Sequence, residues 1–88
     1  MQAEKLITGT QLRAARGALN WSVRDLADRS GVAAATIVRY EAERDVPKSR
    51  KGNLAELRRT LEAAGIEFIG APGDRPGIRI AAPPGRHE

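Results

Sequence analysis

Apolar residues recur at helical spacing through the first half of the chain. A first helix is indicated by Leu12, Ala15 and Leu19, which fall on one side of it. Gly31 divides the segment that follows into two short helices, because glycine accepts the left-handed backbone conformation that ends a helix. So short a link makes the two helices cross steeply, and Ala27 provides a small side chain where they touch. The pattern predicts three short helices before residue 43.

A fourth helix is predicted in the second half of the chain. Apolar residues recur every three or four positions from Leu54 to Ala64, which indicates one buried side. This helix is expected to begin near Ser49 or Asn53 and to end at Gly65. The solvated side carries both acidic and basic residues.

Beyond residue 65 the spacing changes to that of strands. Residues 66–69 and 78–80 are predicted to form two short strands, joined by a long Gly- and Pro-rich connection over residues 70–77. A lone two-stranded hairpin is marginal in water, so it must pack on the helices or pair with another sheet edge. The expected divisions are an N-terminal arm, a helical domain, a hairpin and a disordered tail, over residues 1–9, 10–65, 66–80 and 81–88.

The composition points to a small domain with an anionic partner. Of its 88 residues, 15 are Lys or Arg and 11 are Asp or Glu, which gives a net charge of +4. A basic balance favours nucleic acid, although many small basic domains bind none. No apolar run is long enough for a membrane span or a signal peptide, so a cytoplasmic protein that binds no membrane is expected.

The sequence offers little for catalysis. The chain has no cysteine, and its single histidine, His87, lies near the end, so no metal, other cofactor or catalytic residue is expected and an enzyme is disfavoured. Trp21 is the largest apolar side chain. It is interpreted as a core residue between helices, with a surface contact for DNA or a partner as the alternative.

Two short helices joined at a glycine form a helix-turn-helix pattern, and residues 10–65 resemble the Cro/repressor-type helix-turn-helix domain, or XRE family. The resemblance lies in residues 11–16 (QLRAAR), 19–22 (LNWS), 25–27 (DLA), 31–32 (GV) and 36–37 (TI), with Arg39 and Glu41. It implies a mainly α, λ-repressor-like fold of four to five helices, here followed by a short C-terminal β-hairpin. The second motif helix would enter the major groove of double-stranded DNA.

The resemblance also implies roles for particular residues. Arg16 and Glu41 match the inter-helix ion pair of the family. Val23 stands where the family usually has a glutamine that contacts DNA. The positions that face base edges are Ala33, Ala34, Ala35, Thr36 and Arg39. The positions suited to phosphate contacts, for each of which a solvated charge is the alternative, are Arg13, Arg24, Arg44, Lys48, Arg50 and Lys51.

These positions carry few hydrogen-bonding groups. The three alanines offer only methyl groups, so Arg39 is the one long donor on this surface; a phosphate contact or a solvated charge is its alternative role. Ala33, expected to precede the second motif helix, cannot cap it through its side chain. A DNA phosphate could bind that helix end, with water capping as the alternative.

Family members usually bind DNA as two-fold dimers. The expected dimer contact is strand pairing through Ile66, Phe68, Ile78 and Ile80, and the alternative is a hairpin that only covers its own chain. The predicted function is a sequence-specific DNA-binding regulator, an autoregulating repressor on a palindromic operator. The alternatives are an antitoxin that also binds a toxin, and a protein–protein adaptor that has lost DNA recognition.

Overall fold

A computed structural model describes residues 6–49 and 52–81. Within these residues the chain forms four helices and one two-stranded antiparallel sheet. The elements are α1 (Gly9–Ala18), α2 (Val23–Ser30), α3 (Ala34–Glu41), α4 (Asn53–Ala63), β1 (Ile66–Ala71) and β2 (Asp74–Ile80). The predicted class, a mainly α domain with a C-terminal hairpin, is confirmed. Most of the expected arm and tail, residues 1–5 and 82–88, lies outside the described residues.

The first two helices begin with reciprocal caps. The Thr8 hydroxyl accepts from the Gln11 backbone N–H at 3.0 Å, and the Gln11 side-chain oxygen accepts from the Thr8 N–H at 2.9 Å. Ser22 and Asp25 repeat this arrangement at α2, where the hydrogen bonds from Ser22 lower the pKa of Asp25. Gly31 ends α2 with φ of 81°, as expected for a left-handed helix terminus.

One hydrophobic core lies between the four helices and the first strand. Trp21 packs only partly against it, and the Arg29 guanidinium lies 4.4 Å from the centre of its ring. Trp21 is therefore both a core contact and part of an open surface groove beside α4. The buried apolar residues are Ile7, Leu12, Ala15, Leu26, Val32, Ile37, Tyr40, Leu54, Leu57, Leu61 and Ile66.

The predicted long connection in the hairpin is wrong. The two strands pair from Ile66 with Ile80 to Ala71 with Asp74, so only two residues are left between them. Proline and glycine usually indicate a loop, but both strands of a two-stranded sheet are edge strands, which tolerate proline. The register shifts between Ile69 and Ala71, and Gly70 between them has φ of 77°. A side chain at Gly70 would meet a backbone carbonyl of β2.

The hairpin packs on α1 and α4 of its own chain. Ile66 is buried, and the Gln11 side-chain amide donates to the carbonyl oxygens of Gly77 at 2.8 Å and Ile69 at 3.3 Å. The backbone N–H of Ala81 donates to the Gly65 carbonyl at 2.7 Å. One buried side chain of α1 therefore connects this helix to both strands.

Candidate nucleic-acid interface

Helix α3 turns one side toward the core and the other toward solvent. Ile37, Tyr40 and Glu41 are buried, whereas Ala34 and Ala35 in its first turn are exposed. Because successive residues of an α-helix are rotated by about 100°, Ile37, Tyr40 and Glu41 share one side, Ala35 lies opposite them and Ala34 lies at the border. The solvent side of α3 is therefore available to a groove of DNA.

Most of the base-facing residues inferred from the sequence lie on this exposed surface. Ala33 precedes α3 and makes no side-chain cap, as expected, and its backbone carbonyl accepts from the N–H groups of Thr36 and Ile37. Arg39 is exposed, and its guanidinium lies 5.4 Å from the centre of the Tyr40 ring. Thr36 is half-buried at the border with the core side.

Val38 was missed by the sequence reasoning. Its side chain is 56% exposed, although valine is strongly apolar. Val38 lies one turn after Ala34 and one turn before Ala42, so the three share one row along the solvent side. The sequence carries one signal for this exposure: Val38 does not share the side of the helix that bears Ile37 and Tyr40.

A buried ion pair holds α3 against α1. Arg16 Nε lies 2.8 Å from Glu41 Oε2, and Arg16 Nη2 lies 2.8 Å from Glu41 Oε1. Arg16 Nη1 also donates to the Trp21 carbonyl at 2.9 Å. The hydrogen bond with Glu41 raises the pKa of Arg16. This pair links the first helix, the turn before α2 and the end of α3.

Hydrogen bonds connect the described part of the loop after α3 to the rest of the domain. The Tyr40 hydroxyl and the Leu54 backbone N–H both donate to Ser49 Oγ at 3.1 Å, which joins α3 to the start of α4. The backbone N–H of Gly9 donates to the Asp45 carbonyl at 2.9 Å. A side chain at Gly9 would meet the loop backbone, so α1 and this loop lie in direct contact.

The exposed cations are distributed around α3. Lys48 and Arg39 line one cleft at Tyr40, so the structure brings a loop cation next to the exposed face of the helix. On α1, Arg13 Nη1 lies 3.4 Å from the Glu41 carbonyl, at the end of α3. Arg24 is exposed near the start of α2, and Arg44 is exposed in the loop. Two further phosphate candidates, Arg50 and Lys51, lie outside the described residues.

Other kinds of site find little support in the described part of the chain. Residues 6–49 and 52–81 contain no group of three metal-binding side chains. Val23, which stands where the family usually has a glutamine that contacts DNA, packs partly against the core. No helix within those same ranges is long and apolar enough to cross a membrane.

The comparisons with known proteins agree with this geometry. Residues 12–51, from α1 through α3 and its following loop, match a family model described as helix-turn-helix. No curated protein matches the chain.

Proposed function

Because residues 12–51 place this chain in the Cro/repressor-type (XRE) helix-turn-helix family of DNA-binding regulators, we propose that it is an autoregulating, sequence-specific repressor. It binds a palindromic operator in double-stranded DNA as a dimer, in the cytoplasm. The observation that supports this most directly is the pairing of Arg39 and Lys48 around Tyr40, which sets a base-contacting donor beside a phosphate-contacting one.

In this proposal α3 enters the major groove. Ala33, Ala34 and Ala35 lie closest to base edges, and Arg39 donates two hydrogen bonds to the O6 and N7 atoms of a guanine. Thr36, half-buried at the edge of the face, contributes its hydroxyl. The ion pair of Arg16 and Glu41 has no DNA contact of its own and keeps α3 at the depth that the groove requires.

The phosphate contacts come from two sides of α3. Arg13 and Arg24 act from α1 and α2, and Lys48 with Arg44 acts from the loop. We place Arg50 and Lys51 in the same group because they continue the basic run of that loop. These contacts set orientation and affinity, while the face of α3 sets sequence preference.

Arg39 and Lys48 should give different defects when replaced by alanine. The test compares the operator with a duplex in which the contacted guanine is replaced. Arg39→Ala should reduce the preference for the operator about 10- to 100-fold, because a bidentate contact contributes about 1–3 kcal/mol of discrimination. Lys48→Ala should weaken binding to both duplexes equally. Gel-shift titrations with the DNA upstream of its own gene measure both effects.

The matched control is Arg59→Ala, which removes an exposed arginine of α4 beside Trp21 and should leave DNA binding unchanged. Equal loss of discrimination from Arg39→Ala and Lys48→Ala would contradict the division of roles.

We propose that the dimer forms through the hairpin. Of the four candidate residues, Ile66 is buried inside its own chain, and Phe68 and Ile78 pack partly against the same core. Ile80 is 63% exposed, so it is the residue with the most apolar surface left for a second copy. Both outer edges of a two-stranded sheet carry backbone groups that another strand can pair with.

Ile80→Glu should convert the dimer to a monomer, because two carboxylates would be buried across the two-fold axis without partners. Sedimentation velocity of the full chain measures this directly. Ala71→Glu, at the opposite end of the hairpin near the turn, should leave the dimer intact. A dimer that persists in the Ile80 variant would remove the hairpin from the interface.

The antitoxin alternative uses the same exposed surface. The apolar area at Ile80 and the groove beside Trp21 both offer a contact for a second protein. Co-purification of the product of a neighbouring gene with the wild-type chain, lost on Ile80→Glu, would favour a toxin partner over a homodimer. An adaptor without DNA recognition is favoured instead if no duplex binds.

A further inference from the structure

The middle of the exposed face of α3 is apolar. A rotation of about 100° per residue places Val38 between Ala34 and Ala42 in one row, with Ala35 and Arg39 in the next. Val38 is 56% exposed and is not part of the core. An exposed branched side chain at this position adds little to the packing of the domain. It is the bulkiest apolar group on the exposed face of α3.

The chemistry of this row limits which base edge can lie against it. Aliphatic side chains neither donate nor accept hydrogen bonds. Against the amino group or oxygen of a base, they would leave a desolvated polar group without a partner, which is unfavourable. Among the four bases, thymine alone presents a methyl group in the major groove.

We propose that Val38, flanked by Ala34 and Ala35, contacts thymine 5-methyl groups and makes thymine a required base in each half-site. This inference rests on the proposed DNA-binding function and adds the class of sequence bound.

Deoxyuridine isolates this contact, because it keeps every hydrogen-bonding group of thymidine and lacks only the methyl. The probe is the duplex that the full-length protein enriches from a random pool, resynthesised with each thymidine replaced singly by deoxyuridine. We expect about fourfold weaker binding for each contacted methyl, the value for burying one methyl-sized group. Thymidines outside the contacted positions should be insensitive.

Val38→Thr supplies the protein side of the test. It keeps the shape of valine and exchanges one methyl for a hydroxyl at an exposed site, so the fold is preserved. The variant should bind the thymidine duplex several-fold more weakly than the wild type does. On the duplex with deoxyuridine at the sensitive position, the two proteins should differ much less. This loss of difference identifies Val38 as the side chain that contacts the methyl.

The outcomes separate this inference from the function on which it rests. Equal affinity for thymidine and deoxyuridine duplexes would overturn the methyl contact and leave DNA binding intact. Equal affinity for duplexes with thymine·adenine and cytosine·guanine at the sensitive position would overturn the requirement for thymine. Failure to enrich any sequence from the pool would overturn the regulator function and this inference together.

Discussion

Replacing Arg16 by methionine should lower the free energy of unfolding by about 3 kcal/mol, at the lower end of the range for breaking one half of a buried ion pair. Glu41 is only 6% exposed, so its carboxylate would be left without its main partner inside the domain. The Arg16 side chain retains 20% exposure, and water there offsets part of the loss. The hydrogen bond from Arg16 to the Trp21 carbonyl is lost as well.

Urea titration with tryptophan fluorescence measures this effect, since the chain has one tryptophan and it adjoins the pair. For a domain of this size, about 3 kcal/mol corresponds to a decrease in Tm of roughly 12–24 °C. Glu62→Gln is the matched control: the Glu62 side chain is 42% exposed, so water can solvate it and its pair with Arg58 should contribute less than about 0.5 kcal/mol.

The double variant Arg16→Met, Glu41→Leu tests the origin of the lost stability. The loss arises either from the unpaired Glu41 carboxylate or from the attraction between the two side chains. Apolar side chains that replace both partners of a buried pair are often neutral or stabilising. The double variant should therefore be more stable than Arg16→Met alone. If it is less stable, the pair contributes net stability of its own and the cost is not mainly that of an unpaired carboxylate.

DNA affinity should fall steeply with salt. If the six nominated cations each neutralise one phosphate, the slope of log K against log salt is about −5 per subunit, since each contact contributes about −0.9. Between 50 and 200 mM salt, the contacts of each subunit should then lower the affinity roughly a thousandfold, and the slope for the dimer on its operator should be about twice as steep. Fluorescence anisotropy of a labelled operator at four or more salt concentrations measures the slope.

Single substitutions measure how much each cation contributes to the slope of log K against log salt. Lys48→Ala and Arg24→Ala should each make it shallower by about 0.9 per subunit, whereas Arg59→Ala should leave it unchanged. A wild-type slope near zero would remove phosphate contacts from the binding mode. A slope that no single substitution alters would assign the contacts to other residues.

Much of the helical domain could be predicted from the sequence because its signals are local. Gly31 marks the end of α2 through its own backbone conformation, and the structure contains that left-handed terminus. Apolar spacing likewise gave the buried side of α4, since packing against one core requires one continuous stripe.

The features that escaped prediction depend on contacts between distant segments. Gln11 was known only as part of a family pattern, and its bond to Gly77 joins residues that no local rule relates. The strands β1 and β2 are longer than predicted because proline and glycine, which usually favour loops, are tolerated in a two-stranded sheet. The exposure of Val38 escaped prediction because it depends on how the whole of α3 packs against the other helices.

The separation of the two sides of α3 bears on how such a regulator can change during evolution. Ala34, Ala35 and Val38 lie on the solvent side, while Ile37 and Glu41 on the other side hold the helix in place. Substitutions at exposed helical positions usually change stability by less than about 0.5 kcal/mol. The operator preference could therefore drift through single mutations that leave folding almost untouched, and duplicated copies of the gene could acquire separate targets without passing through an unstable intermediate.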